Sequence, residues 1–106
     1  MEVYPVPNKV VSLTEAAGVV RDGALIGLMN SKIDGAPMAF VRELIRQGRR
    51  DLRVVSRGAG LACDLLIGAG VLRELETCSM DLDVYGPAPH FQRAIRGSAF
   101  RMKDTA

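Results

Sequence analysis

The sequence predicts an α/β domain built on an open, mostly parallel sheet with helices on both faces. Three features carry that prediction. Short apolar runs alternate with segments whose apolar residues recur at helical spacing, the order that builds parallel sheets through crossover helices. Glycine-bearing turns separate these segments. The apolar residues are mostly aliphatic, with three Phe, two Tyr and no Trp. Such side chains suit strands buried beneath helices. A chain of 106 residues fits one small domain spanning 1–106.

The elements follow in order. Residues 2–7 hold two prolines and read as an extended lead-in. Ser12-Leu13-Thr14-Glu15 is a capping box, in which the Ser12 hydroxyl accepts from the Glu15 N–H and the Glu15 carboxylate reaches back. A helix over 13–20 follows, with Leu13, Ala16, Ala17 and Val20 on one face. Asp22-Gly23 ends it, and the apolar run 24–28 is the first strand. A loop over 29–36 leads to Pro37, placed as the first residue of a helix reaching about Gln47. Phe40, Val41, Leu44 and Ile45 form its stripe, and Gly48 stops it. Residues 52–56 are the second strand, and Gly58-Ala59-Gly60 is the loop after it. A short apolar helix over 61–67 precedes a third strand over 71–79. A loop over 81–89 follows, then a helix over 91–96 stopped by Gly97, then the start of a strand over 99–103.

Charge and composition argue against several functions. The formal net charge is +2, and the densest basic cluster, Arg46, Arg49, Arg50 and Arg53, is interrupted by Asp51 and preceded by Glu43. A nucleic-acid binder would carry a stronger basic bias with aromatic or motif support. No run approaches the roughly 20 apolar residues of a membrane helix. The first eleven residues lack a charged region followed by an apolar run, so no secretory signal is expected. Two cysteines make no disulfide framework. Cys63 and Cys78 are expected as reduced core residues in a cytoplasmic protein, Cys63 in a helix and Cys78 in a strand.

Ligands of open parallel sheets sit outside the carboxyl ends of the strands. Three loops meet that description: 29–36, 57–60 and 80–89. They also carry a resemblance. Asp22-Gly23, the following apolar run and Gly35-Ala36-Pro37 match the spacing of the N-terminal signature of family I coenzyme A transferases. Met29-Asn30-Ser31 stands where that signature has Gly-Gly-Phe. The likeness continues through Asp51-Leu52-Arg53-Val54-Val55-Ser56, Gly58-Ala59-Gly60 and Asp64-Leu65-Leu66-Ile67-Gly68-Ala69-Gly70. It ends with Tyr85-Gly86-Pro87-Ala88-Pro89-His90-Phe91 followed by Arg93-Ala94. The chain therefore resembles the N-terminal part of the first, or A, subunit of the glutaconate-transferase-like branch.

The resemblance implies a coenzyme A transferase-like α/β fold, here truncated after about half of the sheet. It implies transfer of coenzyme A between carboxylic acids through a glutamyl-CoA thioester, which is covalent catalysis by a carboxylate. The glutamate is expected on a second subunit of a hetero-oligomer, with none of the nucleophile in this chain. Acyl-CoA and a small carboxylic acid are the expected substrates, with no covalently bound cofactor, no metal, no nucleic acid and no membrane. A CoA-thioester hydrolase, a ring-opening relative and an inactive binding subunit are the alternatives.

Asn30 and Ser31 are candidate hydrogen-bond donors to a thioester oxygen, against a plain role as turn caps. Gly35, Gly58 and Gly60 are candidates for close approach of ligand to backbone, against ordinary turn glycines. Arg57 is a candidate partner for a carboxylate or phosphate, against a surface ion pair. Asp83 is a possible general base, ahead of Asp81, against a solvated loop carboxylate. Glu74 and Glu76 read as edge or interface charges. His90, the only histidine, lacks companions for a triad or metal site and reads as a helix cap.

Overall fold

The computed structural model describes residues 8–29, 32–97 and 100–104. The expected lead-in over 2–7, the candidates Asn30 and Ser31, and Ala99 lie outside them. Helix α1 (Leu13–Gly18) opens the described fold. Ser12 caps it as expected: its Oγ accepts from Glu15 N at 3.1 Å, and the Glu15 carboxylate meets the same hydroxyl at 3.2 Å. Strand β1 (Leu25–Gly27) leads to α2 (Met38–Arg46), β2 (Leu52–Val55) and β3 (Gly58–Ala59). Then come α3 (Leu61–Gly68), β4 (Leu72–Thr77) and β5 (Ser79–Met80). A 3-10 turn (Asp83–Tyr85), α4 (Pro89–Ala94) and β6 (Arg101–Asp104) complete it.

The main sheet has the order β1-β2-β4-β6, with every pair parallel. The α/β class and the parallel sheet with interleaved helices are those expected. The placement of the helices is more specific. Strand order follows chain order, so each crossover steps the same way and returns over the same face. α1 packs on α2, α2 on α3 and α3 on α4. Among the described residues the helices thus line one face of the sheet, where the sequence suggested both.

Burial follows from this. Val54 and Leu75 lie beneath the helices and are 1% and 0% exposed. Val41 and Leu44 of α2, and Ala62, Cys63 and Leu66 of α3, complete the core with no exposed surface. Each fully buried Val or Leu among them contributes about 1.5–3 kcal/mol. The pleat turns the alternate residues to the other face, where the registers align Leu25, Arg53, Glu74 and Arg101 in one row. Gly27, Val55, Glu76 and Lys103 align in the next. Glu74 Oε1 meets Arg101 Nε at 3.7 Å.

Several local boundaries differ from expectation. Pro37 is the residue before α2 and not its first. The Gly58-Ala59 segment is not plain loop: it pairs in parallel with Ser79–Met80 as a two-stranded ribbon, β3 with β5. The expected strand over 71–79 is accordingly broken at Cys78 into β4 and β5. α4 starts at Pro89, two residues early, because proline suits the first helical turn and Asp64 receives the next amides.

Candidate functional site

The carboxyl ends of β1, β2 and β4 surround a cleft of about 550 Å³. Leu28 and Met29 follow β1, Ser56 and Arg57 follow β2, and Cys78 follows β4. Aliphatic atoms dominate the walls through Leu28, Met29 and Val55, and Arg57 brings a positive charge to them. Strand length sets this geometry. β1 ends at a glycine, β2 stops before Ser56, and β4 stops at Thr77, so each chain turns away at nearly the same level.

Thr77 organises the floor of the loops. It is 2% exposed, and its Oγ1 accepts from Ala59 N at 3.2 Å while donating to Ser79 O at 2.8 Å. One hydroxyl so aligns both strands of the β3–β5 ribbon. Cys78 N donates to Arg57 O at 3.3 Å, and the Cys78 thiol meets the same carbonyl. Arg57 and Cys78 are thereby held side by side at the cleft. Cys78 is exposed there and not a core residue, because β4 ends one residue before it. Cys63 is buried as expected, and burial pushes its thiol up to about 12. It stays protonated and unreactive at neutral pH.

The outer end of the ribbon is closed by Lys32. Its Nζ meets Asp81 Oδ2 at 2.7 Å, and its carbonyl accepts from Leu61 N, the first amide of α3, at 2.8 Å. The Lys32 side chain and the Asp83 N–H hold the Asp81 carboxyl below its ordinary value, the Lys32 bond being the larger cause. Asp81 therefore stays ionised and paired at neutral pH.

The candidate residues divide by position. Arg57 lines the cleft, and Gly58 follows it. A side chain at Gly58 would meet only ordinary contacts, the nearest being Ser79 Oγ at 3.8 Å. Gly60 is different. A Cβ there would lie 2.0 Å from Lys32 O, so the close approach it permits is to the chain's own backbone. Gly35 has open space around it but a φ of +70°, the left-handed region that favours glycine. Asp83 sits exposed on the 3-10 turn with φ 57°, outside the residues lining the cleft. His90, on the first turn of α4, lies against Gly68 at the end of α3 and beside Arg93, also outside the cleft. Glu74 pairs with Arg101 on the open sheet face. The basic cluster is divided among separate contacts: Arg46 with Glu43 and Arg49 with Gln47 nearby in the chain, and Arg50 N with Asp22 across two turns.

Sequence reasoning missed Lys32, Thr77 and Ser56. Each sits at a strand end or loop start, but Lys32 meets Asp81 from 49 residues away and Thr77 meets the Ala59 amide from 18. Among the described residues no group of three or more His, Cys, Asp or Glu could hold a metal ion. None of the described helices is long and apolar enough to cross a membrane.

No family model matches the chain. Over 77 residues, 73% of its length, the chain is 35% identical to the cholesterol ring-cleaving hydrolase IpdA subunit of Mycobacterium tuberculosis. That stretch covers 26% of the hydrolase subunit. The crystal structure of the decarboxylase AibA/AibB C56S variant superimposes with a TM-score of 0.80 at 32% identity, over 91% of this chain and 38% of that one. Glutaconate coenzyme A-transferase from Acidaminococcus fermentans superimposes with a TM-score of 0.82 at 27% identity, over 93% of this chain and 32% of that one. The chain thus spans well under half the length of each of these relatives. Shared fold and shared sequence together relate it to coenzyme A transferase-like subunits, of which it spans a part.

Proposed function

We propose that the chain forms the N-terminal part of the A-type subunit of a coenzyme A transferase, and that its carboxyl-end cleft receives the acyl end of a CoA thioester. The single observation behind this reading is the cleft itself, at the strand ends of a sheet that superimposes on glutaconate coenzyme A-transferase. The aliphatic wall from Leu28, Met29 and Val55 suits an apolar acyl group, and Arg57 suits a carboxylate or phosphate at the rim. The glutamate that exchanges the thioester would stand on a partner subunit, facing this cleft. It would attack the acyl-CoA carbonyl to give a mixed anhydride and coenzyme A thiolate, the thiolate would attack the glutamyl carbonyl and release the donor carboxylate to leave a glutamyl-CoA thioester, and the acceptor carboxylate would reverse these two steps, leaving as the new acyl-CoA and freeing the glutamate.

A second reading is supported by the 35% identity to a ring-cleaving hydrolase subunit. There the same cleft would hold an apolar ring-bearing CoA thioester, and water would replace the acceptor carboxylate. The segment Met29-Asn30-Ser31, which departs from Gly-Gly-Phe, fits such a change of chemistry. An inactive binding subunit remains the third case.

Co-expression of the chain with the product of the neighbouring gene separates these readings. Mass spectrometry would follow coenzyme A from an acyl-CoA donor to an added carboxylate. Exchange that requires the carboxylate supports the transferase. Free coenzyme A or a ring-opened product formed without it moves the assignment to the hydrolase. Binding in calorimetry with no turnover leaves a binding subunit, and no binding of any acyl-CoA removes the cleft from all three.

A further inference from the structure

Lys32 makes two connections that belong to different loops. Its ammonium reaches Asp81, in the loop after β5, at 2.7 Å. Its backbone carbonyl takes the amide of Leu61, where the loop after β3 enters α3, at 2.8 Å. Beneath it lies Gly60, at a distance no side chain could share, since an added Cβ would fall 2.0 Å from the Lys32 carbonyl oxygen. The stem of Lys32 also runs over Gly58, with Cγ 4.0 Å from the position of a Cβ there. The loop after β1 is thus laid across the loop after β3 and tied to the loop after β5.

The β3–β5 ribbon is only two residues per strand, too short to hold itself. Thr77 Oγ1 aligns both strands from within. At the other end Asp81 N extends the ribbon to Ala59 O at 3.4 Å, and the Lys32 ammonium holds that same aspartate. Arg57 and Cys78, which line the cleft, stand at the inner end of the same ribbon, immediately before β3 and β5. We propose that Lys32 is a positioning residue for the cleft: it straps three carboxyl-end loops together and so sets where Arg57 and Cys78 stand. This rests on the reading of that cleft as the substrate site. The strap has a rigid half and a releasable half. The Leu61 bond and the Gly60 contact are backbone packing. The Lys32–Asp81 pair, with 30% and 39% of its side chains exposed, adds little to stability and is weakened by salt. Releasing it frees the outer end of the ribbon without dismantling the sheet.

Cys78 supplies a reporter, because it is exposed at the cleft while Cys63 is buried. The rate of its reaction with Ellman's reagent would be measured in the unmodified protein, Lys32→Met, Asp81→Asn, Lys32→Arg and the remote control Arg46→Met. Melting temperatures would be taken in parallel. The expected result is a severalfold faster thiol reaction in Lys32→Met and Asp81→Asn, recovery in Lys32→Arg, and no change in Arg46→Met. Melting temperatures should move no more than in the control. High salt should accelerate the unmodified protein relative to Lys32→Met. A thiol rate unchanged in both strap variants, or a melting shift with no rate change, overturns the proposal. Calorimetry with acetyl-coenzyme A tests the site reading separately. Weaker binding in Lys32→Met alongside the faster thiol joins strap to substrate. A faster thiol with no binding in any form keeps the strap and removes the substrate assignment.

Discussion

The two ends of the same sheet are built on different terms. At the amino end each connection into β1, β2 and β4 is a tight turn that carries a residue of positive φ. Gly23, Gly48 and Gly70 take positive φ, as does Asp51, and a clasp joins the turn before β2 to the turn before β1, with Arg50 N donating to Asp22 Oδ1 at 2.9 Å and Gly23 N to Arg50 O at 3.0 Å. At the carboxyl end the loops complete one another. Lys32 needs Asp81 and Leu61, the β3–β5 ribbon needs Thr77, and α4 needs Asp64 from α3. Side-chain fastenings bring distant residues together around a cleft, whereas the amino-end turns meet through backbone groups and an exposed carboxylate. Change at the carboxyl end should therefore propagate among its loops more than change among the exposed amino-end turns.

Gly60→Ala should break the comparison most sharply. The new Cβ would meet backbone atoms of Lys32, with the nearest at 2.0 Å and two more at 2.5 Å, and no flexible side chain can yield. Overpacking against backbone should cost about 3 kcal/mol. Urea unfolding would measure it, with Gly58→Ala as the companion, where the nearest contact is an ordinary 3.8 Å. Comparable losses in the two variants would mean that the Lys32 crossing does not constrain the fold.

Asp64→Ala should follow. Asp64 is 4% exposed, and its Oδ1 accepts from Phe91 N at 2.8 Å with Oδ2 3.4 Å from His90 N. It does for α4 what an N-cap residue does from within a helix's own chain. Its loss leaves buried amides without a partner and should cost about 2 kcal/mol. Hydrogen exchange should speed up at α4 while α1 and α2 keep their protection. Uniform exchange across all helices would contradict a localised cap.

This contrast also explains what could be read from the sequence. Elements recorded by local pattern were legible: the apolar strands near 24–28 and 52–56, the α2 stripe, the Ser12 cap and the glycine stops. Their causes lie within a few residues. Elements that depend on a distant partner were not. Gly58-Ala59 looks like a turn until Ser79-Met80 is beside it. Asp64 looks like a stray charge in an apolar helix until α4 arrives. Lys32 and Asp81 lie 49 residues apart, and neither marks the other. Gly60 reads in the sequence as a glycine for close approach of a ligand, and the group that approaches it in the fold is the Lys32 carbonyl. The level of the cleft was legible because strand ends are local features. Its fastenings are tertiary, and so stayed hidden.

The smallest effect should come from the amino end, at Glu43. Its carboxylate accepts from Arg46 Nε at 2.6 Å and from Gln47 Nε2 at 3.0 Å, and the Gln47 amide also reaches Thr14 O at 3.0 Å. The Arg46 bond first and the Gln47 bond second lower the Glu43 carboxyl from 4.5 to about 2. A carboxyl that ionises more readily when folded adds stability while it is charged. That contribution is complete above 4.5, the ordinary value, and is lost as pH falls toward about 2. Glu43→Gln should therefore be less stable than the unmodified protein at neutral pH, and the two should converge in acid. The gap should be modest, because Arg46 is 66% exposed and competes with water for the same bonds. Urea midpoints across the pH range would show it. A gap that is constant with pH would mean that Glu43 acts through packing, and a gap larger than that of Asp64→Ala would reverse the order of the two ends.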